Sequence, residues 1–289
     1  MLQKLFWWAF TLRVALCDCH NEKRNEGFTG GKRLYKTTRM GILPPFISET
    51  SGLVLGKNQT TFWTNNDGGN PAELYEINLE GKVMSTIKMP KLVNIDWEDL
   101  AKDTKGNLYI ADVGNNQNYR QDLAIYKLNP NQPDNYETIQ LKYADQRAFP
   151  PAADSLNFDC EAVVWHQYKL HLFSKNRSKS NRYVKLYSVP DFSGSYVATV
   201  QDSVYSKAMV TAADVSPDGK TLALLTYGKV LLFDVTEGLN FRKPTYCIKL
   251  AKGQAEAIAF INNTDFVITN ERKGEIWQVT KKGNDKESK

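Results

Sequence analysis

Histidine and cysteine are scarce in this chain, three and four of 289 residues. Cys17-x-Cys19 followed by His20 has the look of a metal fragment, but no second ligand pair stands at zinc spacing, which sets a zinc site aside. His166 and His171 fall away from the predicted ligand-binding face described below, so a histidine general base is not expected. No nucleophile elbow, phosphate-binding loop or dinucleotide fingerprint occurs. Glycine and proline, 18 and 11, are spread along the chain, and 42% of residues are apolar, which excludes collagen-like and disordered classes. Basic residues are also thin outside the ends. The formal charge is +5, yet residues 1–40 hold eight Lys/Arg against three acids and residues 281–289 four against two, leaving the body slightly acidic. A slightly acidic body is a poor partner for a phosphate backbone, so no nucleic-acid role is expected.

Long apolar runs are missing too, except at the start. Leu5 to Leu16 is mostly apolar, follows Lys4, is interrupted by Arg13 and leads into Cys17-Asp-Cys-His20. At roughly a dozen residues it is too short to span a bilayer and has the layout of an export signal. Residues 1–26 are therefore expected to be signal and linker, 27–281 a single domain, and 282–289 a charged tail. A cell-envelope or secreted location follows, with Cys17 a candidate lipid anchor of a lipoprotein. Cys160 and Cys247 lie in strand-like segments far apart, read first as buried small hydrophobes, with their pairing left open.

What is present is a repeat. Leu74-Tyr-Glu-Ile77, Ile125-Tyr-Lys-Leu128, Leu186-Tyr-Ser-Val189, Leu232-Phe-Asp-Val235 and Ile276-Trp-Gln-Val279 share one pattern: apolar, aromatic, polar, apolar. The aromatics step by 51, 61, 46 and 44 residues, in the range of propeller units. Each is preceded by a strand ending in a polar cluster, such as Phe62 to Asp67 or Leu108 to Asp112. One strand earlier comes a third family, including Glu98-Asp-Leu-Ala101, Glu161-Ala-Val-Val164 and Glu256-Ala-Ile-Ala259. A fourth segment follows in most copies. The pattern predicts an all-β, five-bladed β-propeller of four-stranded blades; a sixth would need about 40 more residues. The last copy lacks its fourth strand, and the strand-like stretch Leu34 to Ile42 is expected to supply it and close the ring.

Inner strands of a propeller line its channel. Ser51, Glu98, Glu161, Ala213 and Glu256 hold matching positions, with Glu49, Asp96, Asp159, Thr211 and Gln254 two residues earlier on the same side. Carboxylates converging from several blades raise one another's pKa unless a counter-charge is present. A bound cation supplies it, and oxygen donors without Cys or His favour calcium. The alternative is a tunnel filled with water. Ser51, Glu98, Glu161 and Glu256 are the candidate metal ligands. The ends of the second strands gather on the same face, making Asp67, Asp112, Lys175, Arg177, Tyr227, Glu271 and Arg272 candidates for holding a small anionic ligand or a protein partner.

Ile95-Asp-Trp-Glu-Asp-Leu-Ala101 with Leu108 to Asn116, Asp159-Cys-Glu-Ala-Val163 and Gln254-Ala-Glu-Ala-Ile-Ala259 resemble a family of exported bacterial propellers, mostly uncharacterised. More distantly the inner-strand pattern is similar to the five-bladed calcium-activated nucleotidases and to propeller phytases. That resemblance implies calcium at Ser51, Glu98, Glu161 and Glu256, with Ala213 departing from the pattern and offering only a carbonyl, or Asp214 if the register slips. The phosphate-binding residues of those families do not transfer cleanly. Two functions stay open: an envelope propeller that binds a ligand or partner at the tunnel mouth with a calcium ion, or a calcium-dependent phosphohydrolase.

Overall fold

The computed structural model describes residue 14 and residues 17–57, 59–178, 180–250 and 253–283. Most of the expected export signal lies outside these residues. Helix α1 (His20–Asn25) is followed by β1 (Thr29–Gly30) and β2 (Tyr35–Ile42). Then come β3 (Thr50–Leu55), β4 (Thr61–Asn66), β5 (Glu73–Asn78) and β6 (Val83–Lys88), and β7 (Trp97–Lys102), β8 (Leu108–Asp112), β9 (Ala124–Asn129) and β10 (Gln132–Tyr143). The chain continues through β11 (Asp159–His166), β12 (Lys169–Lys175), β13 (Tyr183–Pro190) and β14 (Gly194–Tyr205), then β15 (Val210–Val215), β16 (Thr221–Thr226), β17 (Lys229–Asp234) and β18 (Pro244–Lys249). It ends with β19 (Ala255–Phe260), β20 (Phe266–Asn270) and β21 (Glu275–Lys281). Short β-rich segments with alternating or fully apolar burial and tight turns at Gly106, Gly219 and Gly228 favour antiparallel meanders.

The fold is all-β and propeller-like. The inner strands β3, β7, β11, β15 and β19 touch in cyclic order, with β19 returning to β3. The expectation of five separate four-stranded blades nevertheless needs correction, because the strands form four sheets. Two have four strands: β3-β4-β5-β6, and β19-β20-β21 with β2. A third has five, since β1 pairs in parallel with β18. The fourth has eight, because β10 and β14 pair in parallel from Ile139–Gly194 to Tyr143–Ala198. Both are twelve-residue strands. Each overruns its own meander and meets the other where separate blades would end in solvent, which satisfies two edges at once. At the chain ends, β2 pairs antiparallel with β21 from Tyr35–Lys281 to Ile42–Glu275.

The apolar core lies between neighbouring sheets. One cluster joins Tyr109, Ile125, Leu172 and Tyr187; another joins Phe173, Leu224 and Phe233. Two aspartates stitch inner strands together. Asp99 accepts the N–H of Val163 on β11 at 2.9 Å, and Asp214 accepts that of Phe260 on β19 at 2.7 Å. Burial is the main cause that raises both carboxyls, Asp214 to about 7. The amino-terminal segment is tied down as well: Cys19 and Cys247 form a disulfide across 228 residues, and Glu22 on α1 pairs with the buried Lys229. Cys160 is buried and free, and Cys17 is free and partly exposed.

Candidate cation and ligand site

All five inner strands slip register at the end where they begin: β3 between Thr50 and Leu53, β7 at Glu98, β11 at Glu161, β15 at Thr211 and β19 at Glu256. A bulged residue leaves the ladder and can be re-aimed. The five bulges turn Ser51, Glu98, Glu161, Thr211 and Glu256 out of pairing at one level of the channel. Thr211, not Ala213, is therefore the fourth member. Its hydroxyl donates to the Ala255 carbonyl at 2.8 Å, while that of Ser51 donates to the Glu98 carbonyl.

A cavity of about 230 Å³ opens there. Its lining includes Ser51, Glu98, Glu161 and Glu256, the four metal candidates, together with Asp67, Lys175, Arg177, Tyr227 and Glu271. Glu49, Thr50, Asn116 and Gln254 complete it. Asp112 and Arg272 are not in the lining. Asp112 instead pairs with Arg120 at 2.9 Å and accepts the Asp96 N–H at 3.1 Å, so it shapes the loop beside the cavity. Arg272 has φ +67° and bonds through its N–H to the Ser48 carbonyl.

The two sides of the cavity differ in charge. On one, Lys175 Nζ lies 2.7 Å from Glu161, with both side chains buried, and Arg177 bridges Asp159 and Glu161. Burial opposes the Glu161 charge, but Lys175 and Arg177 outweigh it and hold the carboxyl below its ordinary range. Lys175 also lies 5.3 Å from the ring centre of Tyr227, whose hydroxyl donates to Glu256 at 2.9 Å. Burial pushes Glu256 up to about 8 even with Lys175 nearby. On the other side stand Asp67, Asp96 and Glu98, for which no ion pair exists among the described residues. Burial raises Asp67 to about 7, burial and Asp159 raise Asp96 to about 6, and burial with Glu161 raises Glu98 well above its ordinary value.

The residues fit a cation. Oxygens of Asp67, Asp96 and Glu98 lie within 4.8 Å of one another, as do those of Glu98, Asp159 and Glu161. The second group already has Lys175 and Arg177; the first does not. Two glycines make room for the first. A Cβ on Gly68 would meet Asp96 Oδ1 at 2.6 Å, and one on Gly114 would overlap Glu98 Oε1 and Asp96. The buried acidic cluster can hold an ion through oxygen alone, the donor set of a hard cation. Sequence reasoning placed Asp96 and Asp159 one layer away from the metal position and Asp67 with the ligand. The alternation of Asp96 with Glu98 was the available signal; the bulge that lets both reach one point was not visible.

No family model and no curated protein matches this chain. Among solved structures it is similar to the hydrazine synthase of Kuenenia stuttgartiensis, at 11% identity and a TM-score of 0.41, over 79% of this chain and 57% of that one. The chain thus spans somewhat over half of that protein. It is also similar to a gluconolactonase of Xanthomonas campestris important in glucose secondary metabolic pathways, at 12% identity and a TM-score of 0.48, covering 86% of this chain and 90% of that one. At these values neither likeness bears on the chemistry of the site.

Proposed function

We propose that this protein is an exported, propeller-like binding protein whose tunnel mouth takes a calcium ion on Asp67, Asp96 and Glu98 and, beside it, a small anionic ligand or an acidic group of a partner. The observation behind this reading is the charge imbalance of the cavity. Six carboxylates line it, Glu49, Asp67, Glu98, Glu161, Glu256 and Glu271, against Lys175 and Arg177. Such an excess in a confined site is relieved by protons or by a cation. Calcium suits an all-oxygen cluster, and its charge would convert a mouth that repels anions into one that accepts them next to Arg177. Export is supported by the leader-like start and by the Cys19–Cys247 disulfide, a bond that persists in oxidising compartments. Lipid attachment at Cys17 belongs to the same proposal.

The test is calorimetric titration with calcium, magnesium and zinc on metal-free protein, repeated with Glu98→Gln. Calcium binding in the wild type, lost in the variant, is the expected result. No heat with any of the three ions would refute the cation and leave the tunnel water-filled.

Calcium-dependent phosphohydrolysis is the second reading, favoured by one guanidinium, that of Arg177, standing at the cavity beside the cation position. It is weaker, because Lys175 and Arg177 are already neutralised by Glu161 and Asp159, and Arg272 is not in the lining. Phosphate release from nucleoside diphosphates, inositol phosphates and an aryl phosphate, with and without chelator, separates the two.

A further inference from the structure

The exposed apolar side chains are unevenly placed. Phe46, Val93, Ile95, Tyr119, Phe149 and Tyr183 are 39–71% exposed. All six belong to segments at one end of the molecule: the connections leading into β3, β7 and β11, the β8–β9 loop and the start of β13. Cross-contacts confirm that these segments share the cavity face. Gly69 N–H donates to the Asn94 carbonyl, Asn66 Nδ2 to the Phe46 carbonyl, and Arg177 meets Asn116. Only Tyr168 and Phe192, of the exposed large apolar residues, lie in the turns at the opposite end. Exposed Lys91 and Arg147 stand in the same mouth segments as Val93 and Phe149, and exposed Lys207 in the connection into β15.

A second observation locates the start of the chain on this face. Gly228, in the β16–β17 turn next to Tyr227 of the cavity, packs against Cys17; a Cβ there would lie 2.8 Å from the Cys17 Cβ. The mostly apolar stretch Leu5 to Leu16 joins the body at that point. Whether that stretch is retained or a lipid sits on Cys17, attachment begins at the mouth.

We propose that the mouth face docks on an anionic lipid bilayer, with the apolar rim entering the headgroup boundary and the neighbouring bases meeting lipid phosphates. Isolated apolar side chains on a protein surface are ordinary, but a rim of six with interspersed bases, on the face where an apolar or lipid anchor attaches, has the chemistry of an interfacial surface. The proposal rests on the rim and not on the cation, so the two readings fail separately.

Hydrogen exchange of the full chain, with and without vesicles of phosphatidylcholine and phosphatidylglycerol, tests it. Protection is expected in segments 43–49, 89–96, 113–123 and 144–158, and none in turns 166–169 and 190–194. Replacing Phe46, Val93 and Tyr119 with serine should lower vesicle partitioning roughly tenfold, while Tyr168→Ser with Phe192→Ser leaves it unchanged. Protection confined to residues before Cys17, protection on the opposite turns, no vesicle binding, or a rim variant that partitions like the wild type would each overturn the proposal.

Discussion

The two sides of the cavity start from the same material, buried carboxylates on bulged inner strands, and end in opposite states. Around Glu161 the chain brings its own cations, and the acid is held ionised; around Glu98 it brings none, and three acids are pushed towards protonation. Acid count alone therefore does not locate a cation. What matters is where internal counter-charge stops, and here it stops between β11 and β7.

The strongest way to break this contrast is to remove the counter-charge. Lys175→Met leaves Glu161 buried with only Arg177, and taking one partner from a buried pair costs about 3–5 kcal/mol. Denaturant unfolding of the metal-free variant should show that loss, and added calcium should restore part of it, since the Glu161 side then resembles the Glu98 side. A variant as stable as the wild type would mean that the two sides do not differ in this way.

Next in size is the tether. Reducing Cys19–Cys247, or replacing both by serine, should cost about 2–4 kcal/mol and free α1 from Lys229. Calcium affinity should change little, because the cluster draws on neither residue. A parallel loss of calcium binding would show that the tether shapes the site.

Calcium at one hundred times its dissociation constant should add about 2.7 kcal/mol to stability by mass action. Asp96→Asn and Glu98→Gln should remove most of that gain, and Glu161→Gln less of it. Equal losses from Glu98 and Glu161 would erase the distinction between the sides.

The smallest effect concerns pH. Asp67, at about 7, and Glu256, at about 8, bind protons more tightly folded than unfolded, so their contribution is present at low pH and lost as pH rises through those values. Metal-free protein should lose melting temperature between about pH 6 and 8. Calcium should flatten the loss and bind more tightly as pH rises, because it displaces the same protons. A metal-free melting temperature that rises over this window would contradict the assignment.

Much of this was legible in the chain itself. The aromatic repeat located third strands that the structure places in β5, β9, β13, β17 and β21, and the spacing of Glu98, Glu161 and Glu256 foretold their meeting. Four features were hidden for physical reasons. The parallel join of β10 to β14 is a non-local pairing between two long strands, and nothing local in Gly194 to Tyr205 announces a partner. The bulge at Thr211 shifts the fourth strand by two residues, which made Ala213 look like a gap. Lys175 read as a mouth residue, although its position opposite Asp159 points it inward to Glu161. Cys19 and Cys247 are separated by most of the chain, a distance over which spacing cannot choose partners.

The join between β10 and β14 has a consequence for how the ring opens. Sheets held only by side-chain packing can part from their neighbours one at a time, but the β7–β10 and β11–β14 meanders share a backbone ladder. Neither meander can swing without breaking that ladder, so the two act as one stiff arc holding Glu98 and Glu161 in fixed relation. Breathing motions are then displaced to the other seams, and near the global limit amide exchange should sort the strands into four cooperative groups, the largest spanning Trp97 to Tyr205.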